Sequence, residues 1–132
     1  MTLRLAAPVA LACLVAASSA GATGTSTITR QDNKAKSNAR NIVSGIESCF
    51  TETEDYSRCR SAAAIRRELG PTFPVGSHPG QVRVVSAAKL SWVIDAYSRS
   101  GNHFRITKSS NEVVARICTK RARGGCPKNG HW

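Results

Sequence analysis

The stretch 32–50, DNKAKSNARNIVSGIESCF, constrains what this chain can fold into more than any other. Ala35, Ala39, Ile42, Val43, Ile46, Cys49 and Phe50 recur three or four residues apart, the spacing that gathers side chains on one side of an α-helix. Lys34, Lys36, Asn38, Arg40, Asn41 and Glu47 fall on the other side. A helix with a single apolar stripe is marginal alone in water, so it demands a surface to lie on. Burying Ile42, Val43, Ile46 and Phe50 contributes about 1.5–3 kcal/mol each, the scale that sets the architecture of a small domain. Asp32 or Thr29 has the short side-chain oxygen that caps a first turn. Gly45, inside the helix, marks a close approach of another backbone.

The surface the helix needs is legible downstream. From Gln81 the period of apolar residues changes from 3.6 to 2. Val82 and Val84 flank Arg83; Trp92, Ile94 and Ala96 alternate with Val93, Asp95 and Tyr97; Phe104 and Ile106 alternate with His103, Arg105 and Thr107. Val113, Ala115 and Ile117 then alternate with Val114 and Arg116. Short turn sequences at Ala88-Lys89, Ser100-Gly101-Asn102 and Ser109-Ser110-Asn111 separate the runs, which predicts a four-stranded antiparallel meander. One helix laid on such a meander is an α+β roll. Between the two, 61–69 (SAAAIRREL) predicts a short helix stopped by Gly70-Pro71, and 70–80, rich in Gly and Pro, predicts an ordered, irregular connection.

The N-terminus, 1–22, has the pattern of an export signal. Arg4 precedes an apolar stretch from Leu5 to Ala17, and the small residues up to Ala20 and Ala22 suit a signal peptidase. A lipidated Cys13 is the rival reading, disfavoured by the order of residues before it. Residues 23–31 predict a flexible linker, 32–132 the globular domain, and membrane contact is expected only before cleavage. Loss of the signal leaves Cys49, Cys59, Cys118 and Cys126, normally two disulfides in an exported domain. Three pairings are possible, and proximity favours Cys49 with Cys59 and Cys118 with Cys126. A zinc site using cysteines and His131 lacks any Cys-x-x-Cys pair. A calcium loop at Glu52, Glu54 and Asp55 lacks the central glycine and distal glutamate.

Charge narrows the function classes. The net charge is +11, and 83–128 holds ten basic residues against Asp95 and Glu112. Such a half attracts polyanions, extracellular DNA among them, and Arg116, Lys120, Arg121, Arg123 and Lys128 form the candidate patch. A small basic secreted protein also invites a nuclease reading, for which His103 and Glu112 are the candidate acid–base pair. Ser91 and Ser98 lack a nucleophile elbow, and no glycine-rich phosphate loop is present. No enzyme, cofactor or metal is expected.

The order Ala35-Lys36-Ser37-Asn38-Ala39-Arg40-Asn41, Glu47-Ser48-Cys49-Phe50, Asp55-Tyr56 and Cys59 resembles the globular domain of actinobacterial type IV pilins. Gly80-Gln81-Val82, Ser100-Gly101-Asn102, Ile117-Cys118, Gly125-Cys126 and the terminal Trp132 continue the likeness, which covers about 33–132. The resemblance implies a pilin-like roll, two local disulfides, and a non-enzymatic surface or secreted protein acting in adhesion, assembly or extracellular binding, with other pilin-like subunits as partners. The chain departs from pilins at its start. Pro8 breaks the apolar stretch, no acidic residue follows a cleavage point, and 21–30 separates that stretch from the helix.

Overall fold

The computed structural model describes the backbone of residues 20–132 and the side chains from Gly24 onward. The expected export signal lies outside the described residues, apart from its last few positions. The protein is α+β: α1 (Ala20–Thr53), a 3-10 turn (Tyr56–Cys59), α2 (Ala62–Leu69), then strands β1 (Val82–Ala88), β2 (Ser91–Tyr97), β3 (His103–Lys108) and β4 (Val114–Cys118). The strands form one antiparallel sheet in the order β1-β2-β3-β4, the predicted meander. Among the described residues, no helix is long and apolar enough to cross a membrane.

Helix α1 lies along one face of this sheet, as the stripe requires. Ala35, Ala39, Ile42, Ile46 and Cys49 are buried against Val82, Trp92, Ile94, Ala96, Phe104 and Ile106, with Val43 and Phe50 partly buried at the margin. Gly45 does mark a close approach, but to a side chain. A Cβ there would stand 2.9 Å from Leu69 Cγ of α2, which seats the short helix on the long one. Ser61 caps α2 by accepting from the Ala64 amide at 3.0 Å.

Three expectations need correction. The segment 23–31 is not a linker but part of α1, and Ile28 within it lies close to Gly124 of the C-terminal loop. Neither Thr29 nor Asp32 is therefore a cap. Thr29 Oγ1 donates to the Thr25 carbonyl one turn back, and Asp32 is fully buried mid-helix. On β4 the parity is reversed. Val114, Arg116 and Cys118 pair with Lys108, Ile106 and Phe104 and so share the helix face, whereas Ile117 pairs with Arg105 on the opposite face. Val113 and Ile117 are accordingly exposed. Cys118 sets this register, since its sulfur must face inward to reach Cys126.

Both local disulfides form: Cys49–Cys59 at the C-terminal end of α1, and Cys118–Cys126 from β4 into the C-terminal loop. They fit an oxidising compartment. The sheet edges are each partly covered. Val82 donates to the Pro74 carbonyl at 3.0 Å beside β1, and Cys118 donates to the Gly130 carbonyl at 2.8 Å beside β4. The face away from α1 carries a cross-strand ion pair, with Arg105 Nε and Nη2 each 2.7 Å from the Asp95 carboxylate.

Asp32 holds three parts of the molecule together. Its carboxylate accepts from Ser98 Oγ at 2.6 Å, from Ser100 Oγ, from Asn102 Nδ2 at 3.5 Å and from the Gly125 amide at 2.9 Å. Asn102 extends the network, its Oδ1 accepting from the Thr119 and Lys120 amides at 3.2 and 2.9 Å. Burial alone would raise the Asp32 pKa, but these hydrogen bonds together bring it below the ordinary value.

A group lowered in this way favours the folded state above the ordinary aspartate range, about 3.9, and that contribution is lost as pH falls through the lower folded value. Asp32→Leu strands the donors around it and should cost about 3 kcal/mol or more in urea unfolding at neutral pH. Asp32→Asn should flatten the dependence of stability on pH between about pH 5 and 2, and a curve parallel to that of the unmodified chain would contradict the role given to the carboxylate. Peptide mapping without reductant should recover Cys49 with Cys59 and Cys118 with Cys126.

Candidate functional site

A single helix does not cover four strands, and β4 is the one left over. Between α1 and β4 runs a groove of about 510 Å³. Trp92 and Ile106 floor it, Arg40, Val43 and Glu47 form the helix wall, and Val114 and Arg116 form the strand wall. Charge differs along its length, because separate parts of the sequence build its two ends.

At the acidic end Glu47 is a hub. Tyr56 Oη donates to it at 2.6 Å, Trp92 Nε1 at 3.3 Å and Lys108 Nζ at 3.4 Å. Lys108 also lies 2.6 Å from Tyr56 Oη. Tyr56 is buried, stacked on Phe50 with centroids 4.1 Å apart and edge-on to Trp92 at 6.4 Å. Burial and the bond to Glu47 push its phenol pKa up, while the Tyr56 oxygen and the Glu47 charge hold Lys108 protonated above its ordinary range. Glu112, in the β3–β4 turn, lines the same end.

Beyond the groove, on the side of Arg40 and Arg116, a basic corner is built around Trp132. Its indole Nε1 donates to the Ile117 carbonyl at 2.9 Å, and its ring meets Phe104 edge-on at 5.5 Å. Three cations converge on that ring: Lys36 at 5.7 Å and Arg40 at 5.5 Å from α1, and Arg116 at 5.7 Å from β4. Lys36 also stands 5.3 Å from the Phe104 centroid. Burial and the Arg40 charge lower the Lys36 pKa against the opposing pull of Asp32. Among the described residues, none of the three lies in a salt bridge with a carboxylate.

The five residues of the sequence-predicted basic patch separate. Arg116 belongs to this corner, whereas Lys120, Arg121, Arg123 and Lys128 stand exposed on the C-terminal loop that Cys118–Cys126 and the Asp32–Gly125 bond fix. The acid–base pair does not form. His103 opens β3, against Tyr97 at 4.8 Å, and Glu112 lies past its other end, roughly 17 Å away at strand rise. The four cysteines are in disulfides, so none offers a thiolate. In the acidic loop, Asp55 accepts from the Ser57 amide at 2.9 Å and Glu52 faces Arg67 at 3.7 Å.

Lys36, Arg40 and Glu47 escaped the sequence reading, which placed them all on the solvent side of the helix. The i, i+4 spacing of Lys36 and Arg40 was a usable signal that both share one flank. Nothing local announces that Trp132 arrives there from the far end of the chain. No protein-family model, curated protein or solved structure matches the chain.

If Glu47 organises the acidic end, Tyr56→Phe should remove one phenol whose ultraviolet titration in the folded protein runs above the ordinary value of about 10. Glu47→Leu should cost about 2 kcal/mol or more in thermal or urea unfolding, since Lys108, Tyr56 and Trp92 lose their common acceptor. An unchanged midpoint would show that the hub contributes nothing to stability.

Proposed function

We propose that this chain is a non-enzymatic, exported, pilin-like module that works by binding or assembly at or beyond the cell surface. The observation that carries the reading is the unbroken run of α1 from Ala20 to Thr53, laid on a one-sided meander and tied at its C-terminal end by Cys49–Cys59. With 23–31 helical, the separation between the apolar stretch and the amphipathic helix, one of the departures from pilins, is no longer a coil linker. The helix-on-meander order and the two local disulfides are those the resemblance implies. The non-enzymatic side of the reading draws support from the distance between His103 and Glu112 along β3.

A second reading, binding of extracellular polyanions, has its own observation. Lys120, Arg121, Arg123 and Lys128 are exposed on a covalently fixed loop and, among the described residues, lie in no salt bridge with an acid. Preformed cations bind a polyanion without the entropy of ordering a free tail. Retention on a polyanion column should then fall steeply with salt, through counterion release.

The main reading is tested by expressing the full tagged chain in a secretion-competent bacterium, shearing the cells and sequencing the mature N-terminus by mass spectrometry. A start after Ala20 or Ala22, oxidised cysteines, and recovery in the sheared or medium fraction are expected. Recovery in the cytosol with Met1 intact and free thiols would overturn export. Turnover of RNA or DNA that His103→Ala abolishes would overturn the non-enzymatic assignment.

A further inference from the structure

We propose that the corner formed by Lys36, Arg40 and Arg116 around Trp132 is a seat for the phosphates of an extracellular nucleic-acid strand. The inference rests on the polyanion reading and moves the centre of binding from the loop tip to the junction of α1 and β4.

The three cations come from two elements and meet at one ring, each within 5.7 Å of its centroid. Attraction to the indole face offsets part of their mutual repulsion, but the ring carries no net charge to neutralise them. Asp32 offsets part of the Lys36 charge, while its carboxylate oxygens are occupied by donors from Ser98, Ser100, Asn102 and Gly125. The corner therefore gathers three cations around one ring, of which Lys36 is partly offset by Asp32 and Arg40 and Arg116 lie in no salt bridge among the described residues, held there by helix and strand before any ligand arrives.

A ligand that answers such a point must itself be densely charged. A nucleic-acid backbone carries one phosphate on every nucleotide, about one per 3.4 Å of axis for each strand of a duplex, a charge density that answers three cations gathered at one point. Arg40 and Arg116 present planar forks that suit phosphate oxygens, and Lys36 adds a compact charge between them and the loop. Lys36 Nζ lies 3.3 Å from where a Cβ on Gly125 would stand, and Arg121 Nε lies 2.8 Å from the corresponding point on Gly130. Cations thus continue along the loop flank from the corner. In the other direction the groove holds Glu112 and the Glu47–Lys108 pair, which offer a phosphate chain no free cation. The strand runs across the corner along the loop, and not into the groove.

The test uses the full, disulfide-intact exported chain with a labelled single-stranded oligothymidylate, titrated by fluorescence anisotropy from about 50 to 200 mM salt. Unlabelled polyphosphate and polygalacturonate serve as competitors, and tryptophan emission is followed in parallel. Replacing Lys36, Arg40 and Arg116 together by Gln should weaken binding about tenfold or more at the lowest salt and make the log–log salt slope shallower by about 2 units. Replacing Lys120, Arg121, Arg123 and Lys128 by Gln should cost less. Ligand should change the emission of the unmodified chain and of the loop variant, and Trp132→Phe should abolish that change. Arg116→Glu, one exposed position, guards against misfolding of the triple variant and should weaken binding with the melting midpoint retained.

No binding by the unmodified chain overturns the polyanion reading and this inference with it. Binding lost chiefly in the loop variant, with the corner variant unaffected, leaves the polyanion reading standing and overturns the corner. Displacement by polygalacturonate as effective as by polyphosphate, at equal charge, overturns the assignment to phosphate.

Discussion

A buried carboxylate on the long helix is the point on which the rest of the structure depends. Asp32 lies on the apolar stripe, three residues before Ala35, yet it faces a turn and a loop where its neighbours face strands. A buried charge is tolerated only when hydrogen bonds replace the water it has lost. Here the β2–β3 turn and the C-terminal loop supply them, from segments that are far apart in sequence. The approach of the loop is close enough to exclude a side chain. A Cβ on Gly124, whose φ is +57°, would stand 2.5 Å from Asp32 Oδ2 and from Ile28 Cγ2. The Gly124-Gly125 pair is thus explained by the carboxylate it wraps.

The disulfides and the carboxylate divide the work of closing the molecule. Cys49–Cys59 fixes the chain where it leaves α1, which brings Tyr56 under Phe50 and onto Glu47. Cys118–Cys126 fixes the chain where it leaves β4, which brings Gly125 to Asp32 and delivers Trp132 to the corner. Each bond closes a short ring, an entropic contribution of about 2–3 kcal/mol by loop-closure reasoning. That is useful in a small domain with few aromatic residues to bury.

The helix, the meander and the sulfur pairing were legible because each has a local signature: a 3.6 period, a 2 period and near cysteines. What was not legible is what joins them. Asp32 at the start of the stripe reads as a cap, since that is the commonest role for an aspartate there, and only its donors at Ser98 and Gly125 reveal otherwise. The parity of β4 is hidden for a similar reason. Val113, Ala115 and Ile117 alternate more convincingly than Val114, Arg116 and Cys118, but the covalent demand of Cys118 overrides one strand's apolar pattern. The grouping of the basic residues is likewise set by the fold, since sequence nearness puts Arg116 with the loop while the structure puts it with Lys36 and Arg40.

Why the groove lies beside β4 follows from dimensions. Strands sit about 4.8 Å apart, so a flat four-stranded sheet measures roughly 14 Å between its outer strand axes, whereas a helix with its side chains is about 10–12 Å across. One helix must leave a strand uncovered unless a second element comes to it. On the β1 side that element is the 70–80 connection, whose Pro74 and Val75 lie beside Val82. On the β4 side it is only the last few residues, which pair at Ile117 and Cys118 and leave Val114, on the helix face, in solvent. The same shortfall that exposes Val114 leaves Arg116 facing Arg40 across the gap, with Trp132 between them. A concentration of basic side chains therefore sits where this architecture runs out of covering elements, and its place is set by the ratio of helix width to sheet width.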